Sequence, residues 1–595
     1  MNKYTFSIKT LLLAGGIWLL SACEMTNLDI NADPNRPASA ALRLLLPAAE
    51  LASLGIATNG TGANINNNSA TANDIIEIVN NDAMAFSGMG FGNLNADYYN
   101  LTNNSYNAIW NDFYRNMQNV EEMLKATEDG ANPFYRGIAL VLKAFAVGNM
   151  VDRFGDIPYS QAWKGNVSGS DKAPKFDKDS EIYEDLLKLC DQAVVELAKK
   201  QPVAVSGDFI GGGNATTWTR LAKTVKLRLL FNSRKGRATG NADLVKAFNE
   251  GGFISSAAQD FVYQYSTQAS PAEDRHPWFT GPYTGTGDAF YINHQLMGEM
   301  ILNKDPRLNV YFYRQATRIL DPANPTDRGT IPFGGTYLPQ RPAFLAEYKR
   351  VFYEDKQEPT AADLLYLAGY FGRDRSDFSG APADGPLRAA PGAYPAGGYY
   401  SGREIAPKAL TGNNPGGNGI WPIITSWNMK FYQVEAILDG TGVAGDAKAL
   451  FEAAMREQIA FVYKYATIAD SRTVQPTAAD VNAYVGEWMK LYDGATTDQA
   501  KLNVVAKQIW FCSWGQGMEI WNLMRRTGYP VQGQFRQFSV GIQDPLLKPS
   551  RQFALRLPYP SQEGNLNPNA AKYVTDVIFD RDPVFWDKTK LKWTF

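Results

Sequence analysis

The sequence contains few residues that could carry out catalysis. His276 and His294 are the only histidines, so a histidine-based metal site or a nucleophile–histidine pair would have to use one of them. The motifs H-E-x-x-H and G-x-S-x-G and the phosphate-binding loop motif are absent from the sequence. A hydrogen-bonded loop histidine is the simpler interpretation of both residues. We therefore predict that the protein has no catalytic residues and is not an enzyme.

Paired carboxylates are a second source of catalytic chemistry, because two of them about 5 to 10 Å apart can hydrolyse a glycosidic bond. Neighbouring acidic residues occur at Glu121–Glu122, Glu184–Asp185 and Glu273–Asp274. Adjacent side chains on a helix point in different directions, so these pairs indicate solvated surfaces. No acidic loop has the full spacing of a calcium-binding loop. We expect no cofactor and no metal site, and the sequence leaves open whether a structural calcium ion binds.

The aromatic residues indicate a different chemistry, the binding of flat apolar surfaces. The chain has 13 Trp, 30 Tyr and 31 Phe, and an indole or phenol ring covers the C–H face of a sugar, or a peptide side chain, without requiring charge. Rings in glycine-rich loops are the best candidates, since long loops in a compact protein are commonly functional. The predicted ligand-binding residues are Trp278, Tyr283, Tyr291, Trp421, Tyr98 and Tyr99. The alternative is that such rings only attach the loops to the body of the protein.

Composition and charge restrict the class of protein and its partners. With 45% hydrophobic and 20% charged residues the chain is globular. A formal net charge of −2 gives no electrostatic reason to bind nucleic acid. Three cysteines cannot form a disulfide scaffold. Cys190 and Cys512 lie on apolar helical faces, which favours buried free thiols over a bridge.

Residues 1–22 have the features of a bacterial secretion signal. Two lysines precede an uncharged apolar stretch, residues 11–20, which is too short to cross a membrane. The following Leu20-Ser21-Ala22-Cys23 resembles the lipobox of bacterial lipoproteins. We expect cleavage before Cys23, lipidation of that cysteine and a tether over residues 23–40, with the lipid holding the protein at the membrane.

Hydrophobic periodicity predicts two helical blocks, residues 41–250 and 430–530. Paired helices joined by short turns favour a mainly α, tetratricopeptide-like scaffold of helical hairpins. Between the blocks, residues 251–429 are irregular and rich in glycine and proline, which predicts a loop-rich insertion that carries the ligand-binding face. Residues 531–595 are expected to pack on the body.

Two details of the second block can be tested directly. One continuous helix is predicted over residues 498–526. Trp510, Trp514 and Trp521 follow helical spacing together with Met518, which predicts that these rings pack in the core and bind no ligand.

Six motifs, in order along nearly the whole chain, resemble those of the SusD/RagB outer-membrane lipoproteins of the Bacteroidota, in the branch typed by nutrient-binding lipoproteins. They are the lipobox followed by Asp29–Asn35, Tyr106–Trp110, Val151–Ala162, Asp305–Leu308, Arg525–Pro530 and Arg556–Pro560. Two of them also have a physical interpretation of their own. Gly155 with Pro158, and Gly528 with Pro530, predict helix ends that redirect the chain, so we expect structural roles for these residues.

The resemblance implies a helical body that binds a nutrient and catalyses nothing. It implies a lipid-anchored, surface-exposed protein of the outer membrane that captures an oligosaccharide or a peptide. It also implies a partner, a TonB-dependent SusC-like β-barrel transporter on which the protein closes as a lid. Two alternatives stay open: a lipoprotein that scaffolds a membrane complex without binding nutrient, and, less favoured, a surface hydrolase.

Overall fold

The structure, a computed structural model, describes most of the chain between residues 41 and 590. The described residues are 41–55, 86–88, 101–104, 106–165, 172–284, 290–292, 294–315, 324, 336–372, 388–405, 408–410, 413–531, 534–536 and 553–590. All of residues 1–40 lie outside them, including Cys23 and the motif Asp29–Asn35, and so do the candidate ligand-binding residues Tyr98 and Tyr99.

Six of the helices that the structure describes form the first part of the body, and α3 is its centre. Helix α3 packs on α1, α2, α4 and α5, and most of its side chains are buried. Among the described residues α3 is also the one helix that is long and apolar enough to span a membrane, but 83% of its most apolar stretch is buried inside the body. It is therefore a core helix, and most of its residues are buried because other helices surround it. The six helices are α1 Leu42–Ser53, α2 Asn107–Ala126, α3 Pro133–Phe154, α4 Asp179–Leu197, α5 Ala215–Ser233 and α6 Gly240–Glu250.

The region between the two helical blocks has shorter elements, as the glycine and proline content predicts. Its described helices are α7 Pro277–Thr284, α8 His294–Leu302, α9 Leu308–Tyr311, α10 Pro342–Tyr353 and α11 Ala361–Ala368. Much of the described part is buried: Tyr394 and Tyr400 of the glycine-rich stretch belong to the core. These two rings attach the stretch to the body of the protein. They therefore follow the alternative given above for aromatic residues in glycine-rich loops, which is packing and not ligand binding.

Capping side chains begin each of the first four helices of the second block. Thr425 and Thr477 form capping boxes with the residues three positions later, while Asp446 and Thr497 accept hydrogen bonds from backbone N–H groups of the first turn. The helices are α12 Ser426–Leu438, α13 Ala447–Ala469, α14 Ala478–Gly494, α15 Asp498–Cys512 and α16 Gly517–Thr527. Consecutive members of this block pack on one another, as in the first block. The predicted mainly α, tetratricopeptide-like scaffold is confirmed.

The prediction of one helix over residues 498–526 is wrong. The chain leaves the helix after Cys512 and starts α16 at Gly517, and Gly515 between them has φ 92°. An α-helix requires negative φ at every residue, so this turn divides the segment. The apolar spacing continues across the break, which is why periodicity alone missed it.

The C-terminal described segment, residues 553–590, packs on the first block. It contains the short helices α17 Ser561–Leu566 and α18 Ala571–Asp576. The Leu557 N–H donates to the carbonyl of Arg153 in α3 at 2.7 Å, and Tyr559 donates to the carbonyl of Phe154 at 2.5 Å. The end of the chain therefore covers the end of the central helix.

Strands are short in the described residues and pair two by two, always antiparallel. The pairs are β1 with β5, β2 with β3, β4 with β10, β6 with β9 and β7 with β8. Within the β4–β10 pair, Trp421 lies opposite Tyr263. The strands are β1 Phe86–Gly88, β2 Ile157–Pro158, β3 Phe176–Asp177, β4 Phe261–Gln264, β5 Phe290–Ile292, β6 Phe312–Tyr313, β7 Thr336–Tyr337, β8 Phe371–Gly372, β9 Ala390–Pro391 and β10 Ile420–Ile424, and short 3₁₀ turns occupy Arg234–Gly236, Ala257–Gln259, Leu338–Gln340 and Pro568–Ala570.

A buried carboxylate at the end of α3 joins several helices. Asp152 accepts hydrogen bonds from Asn522 Nδ2 at 3.0 Å, Trp586 Nε1 at 3.0 Å and Asn232 Nδ2 at 3.3 Å, and one from the Tyr183 hydroxyl. We call these five residues the Asp152 cluster. They come from α3, α4, α5, α16 and the C-terminal segment, so one carboxylate connects both blocks.

Asp156 follows the helix stop and has a structural role too. Its Oδ1 accepts from the N–H of Asp179, the first residue of α4, at 2.9 Å. Lys178, which precedes α4, makes no side-chain cap of its own but donates to Asp156 Oδ2 at 2.7 Å. The Asp156 carboxylate, which is distant in sequence, therefore accepts a hydrogen bond from a free N–H group in the first turn of α4, as a capping residue would.

Gly155 ends α3 in a conformation that needs glycine for two reasons. Its φ is 83° and its ψ is −122°, a combination that L-residues rarely adopt. A Cβ there would also lie 2.5 Å from Arg556 Nη2, whose guanidinium donates to the carbonyl of Pro583 at 2.9 Å. Gly528, which ends α16, has φ 79° and ψ 6°, in the left-handed helical region, and a Cβ there would meet no atom within 4 Å.

These two glycines make a matched pair for measurement. We expect Gly528→Ala to lower the free energy of unfolding by about 1 kcal/mol, the cost of left-handed backbone for alanine. Gly155→Ala should lower it by about 3 kcal/mol, because a more strained backbone is combined with displacement of Arg556. Urea unfolding of both variants measures the difference, and equal losses would show that the contact with Arg556 does not matter.

Candidate functional site

A partly open pocket of about 140 Å³ lies where the two helical blocks meet. The end of α1, one face of α2, the last turns of α3, α5, strand β10 and the start of α16 all contribute to its lining. A cavity of about 150 Å³ is known to hold a benzene molecule, so a space of this size accommodates one ring. Sites of this kind form between packed helices.

Apolar side chains form much of the lining. Trp421 in β10 is half-buried, and its indole N–H makes no hydrogen bond within the described residues. The other large apolar residues of the lining are Leu54, Ile109, Phe113, Met117, Phe145, Ile423 and Met518. Trp421 and Phe113 provide the aromatic surface that a ring or hydrocarbon chain would contact.

One charged pair in the lining is satisfied internally. Arg228 donates to Glu519 Oε1 at 2.9 Å and to Asn149 Oδ1 at 3.1 Å, and Tyr432 donates to the same carboxylate. Burial by itself would raise the pKa of Glu519, but the Arg228 charge and the Tyr432 hydrogen bond hold the pKa below its ordinary value. Glu519 is therefore an ionised carboxylate and a weak base.

A second arginine in the lining lacks such a partner. Arg153 forms no ion pair with any described carboxylate, and its buried Nε has no hydrogen-bond partner there. Burial lowers the pKa of Arg153 to about 10; the Asp152 carboxylate opposes this shift, and the Arg228 and Arg525 charges add to it. Arg153 thus stays cationic at neutral pH. The Asn116 side chain, also in the lining, makes no hydrogen bond within the described residues.

The structure places two of the predicted ligand-binding rings in the core. Trp278 is 2% exposed and its ring centroid lies 5.1 Å from that of Trp514, while Tyr283 is 0% exposed and stacks on Phe279 with centroids 4.5 Å apart. The Tyr283 hydroxyl donates to the carbonyl of Pro391 at 2.9 Å. A ring with no exposed face cannot contact a ligand, so we assign Trp278 and Tyr283 to packing.

The other candidates have different positions. Trp421 lines the pocket. The backbone of Tyr291 lies in β5 opposite Ser87 of β1, and Tyr98 and Tyr99 lie outside the described residues. Of the three candidates whose side chains the structure describes, Trp278 and Tyr283 lie in the core and Trp421 lines the pocket.

The sequence analysis missed the polar residues of the pocket. Asn116 shares a face of α2 with Ile109, Phe113 and Met117, at the spacing of an apolar stripe. Arg153 likewise ends an apolar helix. An amide or a guanidinium within an apolar stripe could have indicated a functional residue, because such groups are seldom buried unless they have a partner or a role.

The two histidines have structural partners. Nδ1 of His276 accepts from the Trp278 N–H at 3.0 Å, and Nε2 of His294 accepts from the Gly372 N–H at 3.1 Å; both residues are buried. Burial lowers the pKa of His276 to about 3. Among the described residues, no three His, Cys, Asp or Glu side chains group closely enough to hold a metal ion.

Further core predictions agree with the structure. Trp510, Trp514 and Trp521 are each 1% exposed. Cys190 and Cys512 are buried free thiols. Trp510, Trp521 and the two cysteines lie on the buried faces of their helices, whereas Trp514 is buried in the turn between α15 and α16.

A second aromatic hollow, of about 220 Å³, lies elsewhere on the surface and involves Tyr114 and Trp163. The Trp163 indole donates to the carbonyl of Tyr114 at 2.9 Å, and Lys143 Nζ lies 5.5 Å from the Trp163 ring centroid. Its rings are thus held by the protein's own groups, which distinguishes this hollow from the pocket at Trp421.

Comparison with known proteins assigns the chain to a family. Residues 54–331 match a family described as starch-binding associating with outer membrane, and residues 418–594 match the SusD and RagB outer membrane lipoproteins. Together the matches span more than half of the chain. The chain belongs to the SusD/RagB family.

Solved structures of SusD/RagB proteins share the fold over nearly the whole chain. A SusD homologue from Bacteroides fragilis is 17% identical, with a TM-score of 0.63 and coverage of 93% of this chain and 100% of that one. A SusD/RagB protein from Bacteroides thetaiotaomicron is 17% identical, with a TM-score of 0.62 and coverage of 92% and 99%. A structure named as a chitin-binding protein is 18% identical, with a TM-score of 0.60 and the same coverage. No curated protein matches the sequence.

Several described motif residues of this SusD/RagB chain stabilise the fold. Arg307 pairs with Asp305 at 2.5 Å in the core, and Tyr484 donates to the same carboxylate at 2.8 Å. Arg525 donates to the carbonyl of Asp152 at 2.6 Å. Arg153 differs from them, because it belongs to the motif Val151–Ala162 and also lines the pocket.

The buried His276 makes the stability of this SusD/RagB protein depend on pH. Between about pH 6.5 and pH 3, His276 is protonated in the unfolded chain and neutral in the folded chain. The free energy of unfolding therefore falls as the pH falls through this range. Between pH 7 and pH 5 the wild type should lose about 2 kcal/mol more than His276→Asn, in which an amide oxygen replaces Nδ1 as acceptor. Urea unfolding at both pH values tests this, and identical pH dependence would contradict a neutral buried histidine.

Proposed function

We propose that this SusD/RagB protein is a surface-exposed lipoprotein of the outer membrane that binds a nutrient, an oligosaccharide or a peptide. It would deliver that nutrient to a TonB-dependent SusC-like β-barrel transporter, on which it closes as a lid. The family assignment supports the outer-membrane location. The lipobox at Cys23 supports the lipid anchor.

The observation that carries nutrient binding is the pocket at Trp421. It combines a half-buried indole with two polar side chains, Asn116 and Arg153, that have no hydrogen-bond partner among the described residues. Apolar surface with a few unpaired polar groups is the composition of small-molecule binding sites. A sugar ring or a peptide side chain would contact Trp421 and Phe113 through its apolar face, while the polar groups bind its hydroxyls, amides or charged substituents.

The same pocket argues for binding and against hydrolysis. Glycosidases place two carboxylates across the scissile bond. Glu519 is the one carboxylate among the described lining residues, and it accepts hydrogen bonds from Arg228 and Tyr432. A carboxylate with a lowered pKa is unsuited to act as a general acid near neutral pH.

The burial of Trp278 and Tyr283 favours the alternative, a scaffolding lipoprotein that binds no nutrient, because two rings that were expected at a ligand face pack in the core. Trp421 distinguishes the two functions. A scaffold has no need for a half-buried indole beside an unpaired cation, whereas a binding protein uses both.

Replacement of Trp421 tests nutrient binding. Trp421→Ala should weaken the binding of maltohexaose, chitohexaose or tripeptides, whichever the wild type binds, by about 10-fold or more, because an aromatic contact is lost. Trp421→Phe should retain most of the affinity. Isothermal titration of the purified protein measures these values, with Trp163→Ala as the matched control in the other hollow. An unchanged affinity in Trp421→Ala would exclude this pocket as the site.

Isolation of the native complex tests the transport role. The full chain, extracted from its membrane in mild detergent, should bring with it a β-barrel of the TonB-dependent class, identified by mass spectrometry. Cys23→Ser should remove the protein from the membrane fraction, because the acyl chains supply the anchoring. Membrane attachment without any co-isolated barrel would contradict the lid function while leaving nutrient binding intact.

A further inference from the structure

The charges that line the pocket at Trp421 do not balance within it. The lining contains Arg153, Arg228 and one carboxylate, that of Glu519. Arg228 and Glu519 form an ion pair with 2.9 Å between Nε and Oε1. Arg153 is left over, so the described lining carries one net positive charge.

In the part of the chain that the structure describes, no group outside the lining neutralises Arg153 by direct contact. Asp152 is adjacent in sequence, but its carboxylate accepts hydrogen bonds from the other members of the Asp152 cluster and forms no ion pair with Arg153. Arg525 lies close by with the same sign of charge and contributes to lowering the pKa of Arg153. A cation in partly buried surroundings without a hydrogen-bonded counter-charge is unfavourable.

We propose that the unpaired Arg153 binds a carboxylate of the nutrient, so that the pocket selects an acidic ligand. This inference rests on the proposed nutrient-binding function and specifies its ligand class. The guanidinium offers several N–H donors to a carboxylate, and Asn116 and the Trp421 indole add neutral donors. One net positive charge in the lining matches a group with one negative charge.

The size and lining of the pocket restrict the ligand further. A volume of about 140 Å³ holds one ring or one short side chain together with its carboxylate. Phe113 and Trp421 cover the apolar face of that unit. Two kinds of nutrient carry such a unit: an oligosaccharide with a uronic acid residue, and a peptide with a free C-terminal carboxylate.

Neutralised ligands separate these two sources. The purified full chain is titrated with tri-galacturonate and with its methyl ester, and with trialanine and with trialanine amide. At least one acid should bind about 10-fold or more tightly than its neutral counterpart, because a charge-assisted hydrogen bond is lost in the neutral ligand. Binding of tri-galacturonate identifies an acidic glycan, and binding of trialanine identifies a peptide.

Arg153 variants connect that preference to the pocket. Arg153→Gln should abolish the difference between acid and neutral ligand, and Arg153→Lys should keep part of it, since the charge remains but the fork of donors is lost. Arg115→Gln is the matched control, because Arg115 is exposed on α2 and pairs with Asp112 at 2.8 Å. The melting temperature of each variant shows whether it is folded. If Arg153→Gln does not fold, the partial loss of acid preference in Arg153→Lys is the test.

The outcomes distinguish this inference from the function on which it rests. Equal affinity for acids and their neutral counterparts, or an acid preference that survives in both Arg153 variants, would overturn the carboxylate site. If a neutral oligosaccharide still binds through Trp421 in that case, the proposed nutrient-binding function stands. If neither acidic nor neutral glycans and peptides bind, both proposals fail.

Discussion

The rest of the structure depends on the buried carboxylate of Asp152. A charge removed from water must be compensated by hydrogen bonds, and here the compensating groups come from three other helices and the C-terminal segment. This requirement fixes the last turn of α3. Adjacent residues on a helix point in different directions, so with Asp152 directed into the core, its neighbour Arg153 is available to the pocket. The structural cluster and the candidate site therefore share one turn of helix.

A second buried charge network holds the two helical blocks together beside this cluster. Glu435 in α12 accepts from Arg526 at 2.8 and 2.9 Å and from Arg234 at 2.8 Å, and all three residues are almost completely buried. Arg525, the preceding residue, instead donates to α3 at the carbonyl of Asp152. The two adjacent arginines thus attach α16 to different helices. Since α16 also begins at the pocket, both networks hold the helix that forms one wall of the pocket.

The sequence allowed much of the fold to be predicted but little of the site. Apolar periodicity located most of the long helices, because that signal is local, and it failed at Gly515, where one dihedral angle divides an otherwise regular stripe. The site depends on contacts between residues far apart in the chain. Trp278 and Trp421 have similar sequence surroundings, yet α7 buries the first while β10 brings the second to the pocket. No local pattern separates the two cases.

The position of the pocket determines what kind of selectivity it can have. Its polar groups, Asn116 and Arg153, lie on the helices α2 and α3, which pack on each other and form part of the core. Groups on rigid elements keep their geometry without a ligand, so little ordering free energy is lost on binding. An unpaired arginine in such a place is unfavourable in the free protein, and a neutral ligand leaves it unpaired. An acidic ligand removes that penalty, and discrimination between the two therefore arises from the free state as much as from the bound one.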